Sequence, residues 1–424
     1  MSLLIKGGRV IDPANKIDGI CDILIEGSKI SAVAKDIKQK AKQVIEAKGK
    51  IVMPGLVDMH VHLREPGRED KETIKSGTEA ALKGGVTTLL AMPNTSPPID
   101  SIENIRLLKK AIKKDAKADV LIAATITKAH AGKELTDMAK LKKEGAVAVT
   151  DDGSSIDDEK KLLNALKKAK DSRLTVSCHC EDKALSAGGH VNLGFTSTSM
   201  GLRGISRESE YKRIERDIAL AHKAKAPIHI AHVSCKESVD VIKIAKRKNV
   251  KVTAETAPHY FSLSEESVWG FDTNMKMNPP LRGKTDMKAI KQGLKDGTID
   301  VIASDHAPHT ENEKDIEFSR SEFGIIGLET ILYVSIQELV LTGLLDWKEF
   351  IQKLSLNPAK ILGVEKGSLG KGSAADMIIY DPGAEWSFGK QEILSKSGNS
   401  PFIGRSFKGK ILYTIFAGKV AYRA

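Results

Sequence analysis

The sequence lacks the features that mark membrane and secreted proteins. It has no run of about 18 apolar residues, the length that a membrane-spanning helix needs. Residues 1–6 lead directly into a strand-like pattern, without the layout of a signal peptide. The 424 residues include 4 cysteines, too few for a disulfide framework, and this scarcity fits a reducing compartment. We therefore expect a cytoplasmic protein with no membrane partner.

Aromatic residues are also scarce, at 4%, although the formal net charge is +11. A basic protein can bind nucleic acid, but this chain has few aromatic rings for base stacking. Its lysines are spread along predicted helices, as in residues 109–114 and 160–168, instead of forming one basic arm. This distribution predicts a solvated, lysine-rich surface of the kind that thermophilic proteins use, and no nucleic-acid partner.

No Gly-x-Gly-x-x-Gly or phosphate-loop motif is present to favour a doubly wound sheet, the main alternative fold. Apolar strand-like runs alternate with helical stretches, such as residues 71–83 and 207–223. Eight such strands over roughly 300 residues predict a (β/α)8 TIM barrel, an α/β fold. The predicted strands are residues 56–62, 86–92, 119–127, 146–151, 173–180, 227–234, 250–257 and 300–306.

Both ends of the chain have a different pattern of predicted secondary structure, with short strands and no long helix. Examples are residues 3–5, 22–26 and 51–53 near the start, and 376–380 and 411–415 near the end. These segments either pair into one small β-sandwich or form two independent caps on the barrel. We expect the first arrangement, with residues 1–55 and 366–424 forming the β-sandwich and residues 56–365 forming the barrel.

The first barrel strand carries the most informative residues. His60 and His62 are two apart, so on a strand they point to the same face, and two imidazoles on one face suit a metal ion. Arg64 continues the same face where the strand should end, and its planar fork can bind a carboxylate through two hydrogen bonds. The alternative is that the two histidines are only packed on the strand. It is less favoured because later strands also end in residue types that bind metal ions.

In a TIM barrel the active site lies at the carboxyl ends of the strands. The second strand ends near Asn94, whose amide can hydrogen-bond a substrate. The fourth ends in Asp151-Asp152-Gly153, which is either a turn or a source of a metal carboxylate. The pattern does not choose between the two aspartates.

Strands five, six and eight also end in candidate ligands. His179 lies between two cysteines, and because neighbouring residues on a strand face opposite ways, we interpret His179 as the ligand and the cysteines as packing. His232 is nearer the strand end than His229, which we expect to be packed or at the surface. Asp305 ends a buried strand, where an unpaired carboxylate would be costly, and His309 follows it.

Four histidines and two aspartates at strand ends predict a site for two metal ions. Such a site lowers the pKa of bound water to about 7 and polarises a carbonyl group. The predicted reaction is therefore metal-assisted hydrolysis or its reverse. With Arg64 and Asn94 nearby, the substrate should be an anion that contains an amide.

Five motifs form a recognisable set: Asp58-Met59-His60-Val61-His62-Leu63-Arg64-Glu65-Pro66-Gly67, Met92-Pro93-Asn94-Thr95, Thr150-Asp151-Asp152-Gly153, Asn278-Pro279-Pro280-Leu281-Arg282, and Ala303-Ser304-Asp305-His306-Ala307-Pro308-His309 followed by Lys314. Through these motifs the whole chain resembles the class I dihydroorotases of the cyclic amidohydrolase superfamily. The resemblance implies a TIM barrel flanked by a β-sandwich, zinc, and reversible cyclisation of N-carbamoyl-L-aspartate to dihydroorotate, the third step of pyrimidine (UMP) biosynthesis. It also implies a complex with aspartate carbamoyltransferase, and a homodimer is a further expectation.

The resemblance also implies a role for each site residue. One zinc would be bound by His60, His62 and Asp305 and the second by His179 and His232, with Asp152 bridging the two. Because the second zinc would have one protein ligand fewer, we expect it to bind more weakly. Asp305 would also accept a proton from water and pass it to the leaving ring nitrogen. The residues implied to bind substrate are His62, Arg64, Asn94 and His309, with Asn278, Phe323 and Gly324 at the ring.

The sequence leaves two alternative functions and one alternative role for a loop. Hydantoinases and allantoinases resemble this barrel but usually bridge their metals with a carboxylated lysine, whereas strand four here ends in Asp-Asp-Gly. Inactive dihydroorotase homologues that only scaffold aspartate carbamoyltransferase lose metal histidines, and none is missing here. Finally, residues 153–158 are small and polar, and are either a mobile lid or an ordinary loop with Asp157 capping the next helix.

Overall fold

A computed structural model describes residues 2–186 and 188–424 of the chain. Strands from both ends form one eight-stranded sheet, in which β16 pairs antiparallel with β5 and so joins the two terminal segments. The expected pairing of the two ends is therefore confirmed. The N-terminal strands are β1 (Ser2–Asp12), β2 (Ile17–Glu26), β3 (Lys29–Ala34), β4 (Gln43–Glu46) and β5 (Ile51–Pro54), and the C-terminal ones are β16 (Met377–Ser387), β17 (Ser406–Phe416) and β18 (Lys419–Arg423).

The middle of the chain forms a second eight-stranded sheet, which is parallel throughout. Its strands are β6 (Leu56–Val61), β7 (Val86–Ala91), β8 (Asp119–Ala124), β9 (Ala146–Val149), β10 (Thr175–Cys178), β13 (Ile228–Ile230), β14 (Val252–Thr256) and β15 (Val301–Ile302). They follow one another in sequence order around the sheet. Two further strands, β11 (Val191–Asn192) and β12 (Gly204–Ile205), pair with each other outside this sheet.

The parallel sheet closes into the predicted (β/α)8 barrel. A parallel bridge joins Val61, at the end of β6, to His306, just beyond β15, and the His62 amide donates to the His306 carbonyl at 2.8 Å. All eight predicted strands are confirmed, although each is shorter in the structure than predicted. The terminal sheet has its own hydrophobic core, which includes Ile5, Ile23 and Met377. The domain boundaries at 55/56 and 365/366 stay a prediction.

Helices surround the barrel strands. They are α1 (Ile74–Lys83), α2 (Ile102–Asp115), α3 (Met138–Lys143), α4 (Glu159–Asp171), α5 (Lys183–Ser186), α6 (Phe195–Ser199), α7 (Glu208–Ala224), α8 (Lys236–Arg247), α9 (Pro258–Ser262), α10 (Lys284–Asp296), α11 (Glu311–Lys314), α12 (Ile331–Ser335), α13 (Trp347–Ile351) and α14 (Asn357–Leu362). Within residues 2–186 and 188–424, no helix is long and apolar enough to cross a membrane.

The first helix begins later than the predicted residue 71. Thr73 is its N-cap, because the Thr73 side chain accepts a hydrogen bond from the Ser76 amide, and such a cap supplies a partner for an amide that the helix leaves free. Residues 65–72 therefore form a connection at the carboxyl end of β6. This places Lys71 and Glu72 in a loop beside the barrel mouth.

Candidate active site

A cavity of ≈ 290 Å3 opens at the carboxyl ends of the barrel strands. The predicted substrate-binding residues all line it, as do five of the six predicted metal ligands, all but His60. The lining residues are His62, Arg64, Asn94, Asp152, Gly153, His179, His232, Asn278, Asp305, Ala307, His309, Glu322, Phe323 and Gly324. The tertiary structure thus brings together residues that are up to 262 positions apart in sequence, from His62 to Gly324.

His60 and His62 meet the same group of carboxylates, as their spacing predicts. His60 Nε2 lies 3.4 Å from Asp152 Oδ1 and 3.5 Å from Asp305 Oδ1. His62 Nε2 lies 3.4 Å from Asp152 Oδ2 and 3.8 Å from Asp305 Oδ1. The other nitrogen of each ring is also engaged: His60 Nδ1 contacts Glu255 at 2.6 Å and His62 Nδ1 contacts Asn94 Oδ1 at 2.9 Å. Each ring is therefore held with Nε2 towards the carboxylates.

Asp152 lies at the centre of the histidine cluster. Besides His60 and His62, its Oδ1 is 3.5 Å from His232 Nε2 and 3.8 Å from His179 Nδ1. Burial opposes ionisation of Asp152, but the neighbouring histidines, His60 first, hold its pKa well below the usual value. Gly153 follows with a φ of +78°, the left-handed conformation that glycine adopts without a steric penalty.

The structure distinguishes Asp151 from Asp152, which the sequence pattern does not. Asp151 Oδ1 accepts hydrogen bonds from the amides of Ile126 and Thr127, and its Oδ2 accepts one from the Thr127 hydroxyl. Asp151 thus ties two neighbouring strand ends together. Only Asp152 points at the histidines.

His179 and His232 contact each other, with His179 Nδ1 2.7 Å from His232 Nε2. The flanking Cys178 and Cys180 are buried, and Cys180 Sγ lies 3.6 Å from Asp217. His229 is also buried and contacts Thr253 and Glu255 below the cavity.

Three residues of the site have a left-handed backbone. Arg64, His232 and Asp305 have φ values of 62°, 32° and 49°, which are uncommon for residues other than glycine. Such conformations tend to occur where function requires a particular side-chain direction. For Arg64 this corrects the simple strand argument: β6 ends at Val61, so Arg64 enters the cavity through a turned backbone, not by strand alternation.

The cluster fits a bound metal ion. His60, His62 and Asp305 form one group whose ligand atoms all lie within 4.8 Å of one another, and His60, Asp152 and His232 form another. Moreover, His60 Nε2 and Asp152 Oδ1 are buried without a hydrogen-bond partner among the described residues. A buried polar atom without a partner is costly, and a cation between these atoms would remove that cost. Imidazole and carboxylate are also ligands that suit zinc.

The same cavity also contains a cation, Arg64. Arg64 Nε donates to the Pro308 carbonyl at 3.2 Å, and one terminal nitrogen lies 3.3 Å from His309 Nε2. Burial lowers the pKa of Arg64 to about 10, so the guanidinium is still charged at neutral pH. A cluster of metal-ligand residues and a fixed cation therefore line the same cavity.

Known proteins of similar sequence are dihydroorotases. The model of the Dihydro-orotase-like family matches residues 49–238. A dihydroorotase from Elusimicrobium minutum is 51% identical over 420 residues, covering 99% of this chain and 97% of the relative. A dihydroorotase from Geobacter metallireducens is 47% identical over the full length of both chains. This chain belongs to the dihydroorotase family.

Solved structures with the same fold include other cyclic amidohydrolases. L-hydantoinase from Arthrobacter aurescens has a TM-score of 0.89 at 24% identity, covering 99% of this chain and 95% of the hydantoinase. Dihydropyrimidinase from Brevibacillus agri has a TM-score of 0.87 at 25% identity, covering 100% and 95%. They support the barrel fold, whereas membership of the dihydroorotase family rests on the much higher identities.

Gly324 shows why this dihydroorotase-family cavity needs a glycine beside His309. Its φ is +133°, and a Cβ atom built there would lie 2.7 Å from the Ala307 Cβ and 3.2 Å from His309 Nε2. The Lys314 ammonium donates to the Gly324 carbonyl at 3.1 Å and to the Glu322 carbonyl at 2.8 Å. Lys314, which belongs to the last sequence motif, thus holds the Phe323-Gly324 segment from outside the cavity.

The segment after Asp152 differs from the expected capping arrangement. Asp158, not Asp157, is the N-cap of α4, and Asp157 pairs with Arg213 at 2.7 Å. Arg216 also donates to the Ile156 carbonyl at 2.8 Å. The segment is therefore anchored on α7 by two arginines, and its role as a lid stays a prediction.

Several residues that support the site were missed by the sequence reasoning. Glu255 could have been found, because it is a carboxylate near the end of the seventh strand. Lys71 and Glu72 were placed in a predicted helix, where charged residues usually mean a solvated face. Asn399 gave no local signal, yet its side chain accepts from the His309 amide and donates to the Gly324 carbonyl at 3.0 Å.

Proposed function

We propose that this chain is a dihydroorotase that interconverts N-carbamoyl-L-aspartate and (S)-dihydroorotate, with loss of water in the ring-closing direction. One observation carries the proposal: a histidine–carboxylate cluster and the buried Arg64 guanidinium line a single cavity. This arrangement suits a substrate with a carboxylate at one end and a cyclic amide at the other. The full-length dihydroorotase relatives support the same conclusion.

The proposed cofactor is zinc, with two ions per chain. His60, His62 and Asp305 would hold the first, His179 and His232 the second, and Asp152 both. Metal ions bound there would supply polarisation of the scissile carbonyl and activation of water. The short distances from Asp152 to histidines of both groups support a shared role for this carboxylate.

Asp305 is the proposed proton carrier. Burial opposes its ionisation, but His60, followed by a hydrogen bond from His62, lowers the pKa of Asp305 below the usual value. The residue is therefore a carboxylate in the resting site and can accept a proton from the attacking water. In ring opening it would then donate this proton to the leaving ring nitrogen, acting first as base and then as acid.

The other cavity residues would position the substrate. Arg64 and His309 would bind the exocyclic carboxylate from one side, with Asn94 beside them, and a guanidinium can grip it through two parallel hydrogen bonds. Asn278 and the backbone of Phe323 and Gly324 would contact the ring. Reaction requires the scissile carbonyl and Asp305 to be held in register, so these contacts would contribute to turnover as well as to affinity.

Aspartate carbamoyltransferase is the proposed protein partner, and the cytoplasm is the proposed location. An exposed apolar patch on the loops after β10 and β14 would be covered by such a partner. It comprises Leu193, Phe195, Trp269 and Phe271, and Phe195 is 79% exposed. Apolar patches of this kind often mark protein interfaces. Sedimentation of the chain alone and with the carbamoyltransferase would separate this complex from a homodimer.

An assay of the purified, zinc-supplemented chain tests the proposed function. Ring opening of dihydroorotate should be much faster than that of hydantoin or allantoin, and ring closure of N-carbamoyl-L-aspartate should also be measurable. A matched pair of variants, His60→Asn and His222→Asn, provides the control, because His60 lies in the cluster and His222 lies in the last turn of α7. Preference for hydantoin, or full activity of His60→Asn, would contradict the proposal.

A further inference from the structure

Lys71 is a buried lysine that stands behind the carboxylate-binding side of the cavity. It lies in the loop between β6 and α1 and is 5% exposed. Its Nζ is 3.0 Å from His309 Nδ1 and 2.9 Å from Glu313 Oε1. Removing a lysine ammonium from water is costly unless it is paired. Its contacts with Glu313 and with the substrate-facing His309 offset that cost.

We propose that Lys71 is a positioning residue for substrate binding: it donates to His309 Nδ1 and so forces the His309 ring to carry its proton on Nε2, which faces the cavity. The effect of Lys71 on substrate binding rests on the proposed function, whereas the tautomer of His309 does not depend on that function.

The hydrogen-bond partners of the two ring nitrogens determine the tautomer of His309. An ammonium group has three donors and no acceptor, so His309 Nδ1 must accept at the 3.0 Å contact with Lys71. A neutral imidazole has one donor nitrogen and one acceptor nitrogen, which leaves the proton on Nε2. The Phe323 carbonyl oxygen, which can only accept, lies 2.8 Å from that nitrogen. Both ends of the ring therefore require the same tautomer.

The charges around His309 keep the ring neutral. Burial, followed by the cations Arg64, Lys71 and Lys314, lowers the pKa of His309 to about 2. Glu313 is the anion that faces the ring, with Oε2 3.5 Å from Nδ1. A proton on Nδ1 shared with Glu313 is the alternative arrangement, but the Lys71 contact is shorter and the Glu313 carboxylate is already paired with Lys71.

This tautomer prepares the cavity for a carboxylate. The nearest Arg64 nitrogen is 3.3 Å from His309 Nε2, and two N–H donors cannot bond to each other. An anion placed beside both would accept from both, and Nε2–H would exchange the Phe323 carbonyl for a charged acceptor. The opposite tautomer would present a lone pair to the carboxylate and repel it. Lys71 would thus favour substrates that carry a carboxylate.

The tautomer can be measured without substrate or turnover. Histidine-selective 15N labelling and NMR report which ring nitrogen carries the proton, and His309→Asn assigns the signals by their loss. We expect a protonated Nε2 and an unprotonated Nδ1 for His309 in the zinc-loaded protein. A protonated Nδ1, or a doubly protonated ring at neutral pH, would overturn the inference even if the chain is an active dihydroorotase.

Variants then test the link to substrate. Lys71→Met removes the donor, and we expect the KM for dihydroorotate to rise roughly 10- to 100-fold, the range for a lost hydrogen bond to a charged group. The kcat should change only by a few-fold, and the KM should acquire a dependence on pH in the titration range of a histidine. Lys71→Gln keeps a donor without the charge and should restore the tautomer and most of the affinity.

Lys353→Met is the matched control, because Lys353 is also buried and donates to the Ile299 carbonyl at the opposite end of the barrel. Its KM should match that of the wild type. An unchanged KM in folded Lys71→Met, or an equal rise in Lys353→Met, would overturn the positioning role. If Lys71→Met does not fold, Lys71→Gln and the wild-type spectrum decide the question. Absence of dihydroorotate turnover in the wild type would instead refute the proposed function and leave the tautomer test intact.

Discussion

Replacing Glu255 should weaken metal binding although the residue lies outside the cavity. Glu255 is fully buried on β14. Its two carboxylate oxygens accept from two histidines, Oε1 from His60 Nδ1 at 2.6 Å and Oε2 from His229 Nε2 at 3.2 Å. The bond to His60 keeps the proton on Nδ1 and leaves Nε2 free to bind a metal. Partners of this kind orient the histidines of metal sites.

The magnitude follows from the two hydrogen bonds. Glu255→Met fills a similar volume but leaves two buried donors unpaired, at about 1–3 kcal/mol each, so the free energy of unfolding should fall by ~2–6 kcal/mol. Loss of ring orientation should weaken the metal site that contains His60 by roughly 10- to 100-fold. Glu255→Gln should be milder, because its amide oxygen still accepts from His60. The Gln NH2 group would then face His229, whose other nitrogen can donate to Thr253 instead.

Metal affinity is measured by competition with a chromophoric chelator, and stability by denaturant unfolding of the metal-free protein. Glu329→Met is the matched control, because Glu329 is equally buried but accepts from the backbone amides of Leu394 and Ser395. It should lose stability and keep its metal affinity. The reasoning about His60 is refuted if folded Glu255→Met binds metal as tightly as the wild type, or if Glu329→Met weakens binding to the same extent.

Three further predictions concern residues inside the cavity. Asp305→Asn should fold and keep zinc but lose turnover by roughly 10²- to 10⁴-fold, as steady-state kinetics and metal analysis would show; turnover within a few-fold of wild type would remove Asp305 from the mechanism. Arg64→Lys keeps the charge but loses the planar fork, so the KM for N-carbamoyl-L-aspartate should rise far more than metal affinity falls. Asp152→Ala should lose the second metal first during dialysis against a chelator, and wild-type activity should not respond to bicarbonate; simultaneous loss of both metals would contradict weaker binding at the second site, and rescue by bicarbonate would contradict a bridge formed by Asp152.

The connection between β16 and β17 of the terminal sheet supports the cavity of the barrel. Residues 395–399, between β16 and β17, reach back to the cavity loops, where Ser397 donates to the Lys71 carbonyl and Asn399 to the Gly324 carbonyl. Glu72 accepts from the Lys396 amide at 3.1 Å. The C-terminal segment therefore supports the substrate-facing loops directly, and changes there should alter substrate affinity as well as stability.

The sequence by itself determined the barrel, because strands buried on both faces appear as continuous apolar runs and the helices between them have their own period. It also determined that His60 and His62 face the same way, since side chains on a strand alternate. Resemblance to the dihydroorotases added the choice of Asp152 and the roles of the substrate-facing residues. Local sequence patterns predict which face of a strand or helix a residue occupies, but they do not predict which residues lie opposite it.

Only the tertiary structure decided how the site is held. Glu255 reaches His60 across 195 positions, and Lys71 reaches His309 across 238. The tautomer of a histidine, and so the nitrogen it offers to a metal or substrate, depends on such a remote partner. The left-handed backbones of Arg64 and Asp305 were equally invisible in the sequence, because nothing in either residue type requires that conformation. The remote contacts arise because closure of the barrel brings the ends of eight strands to one place.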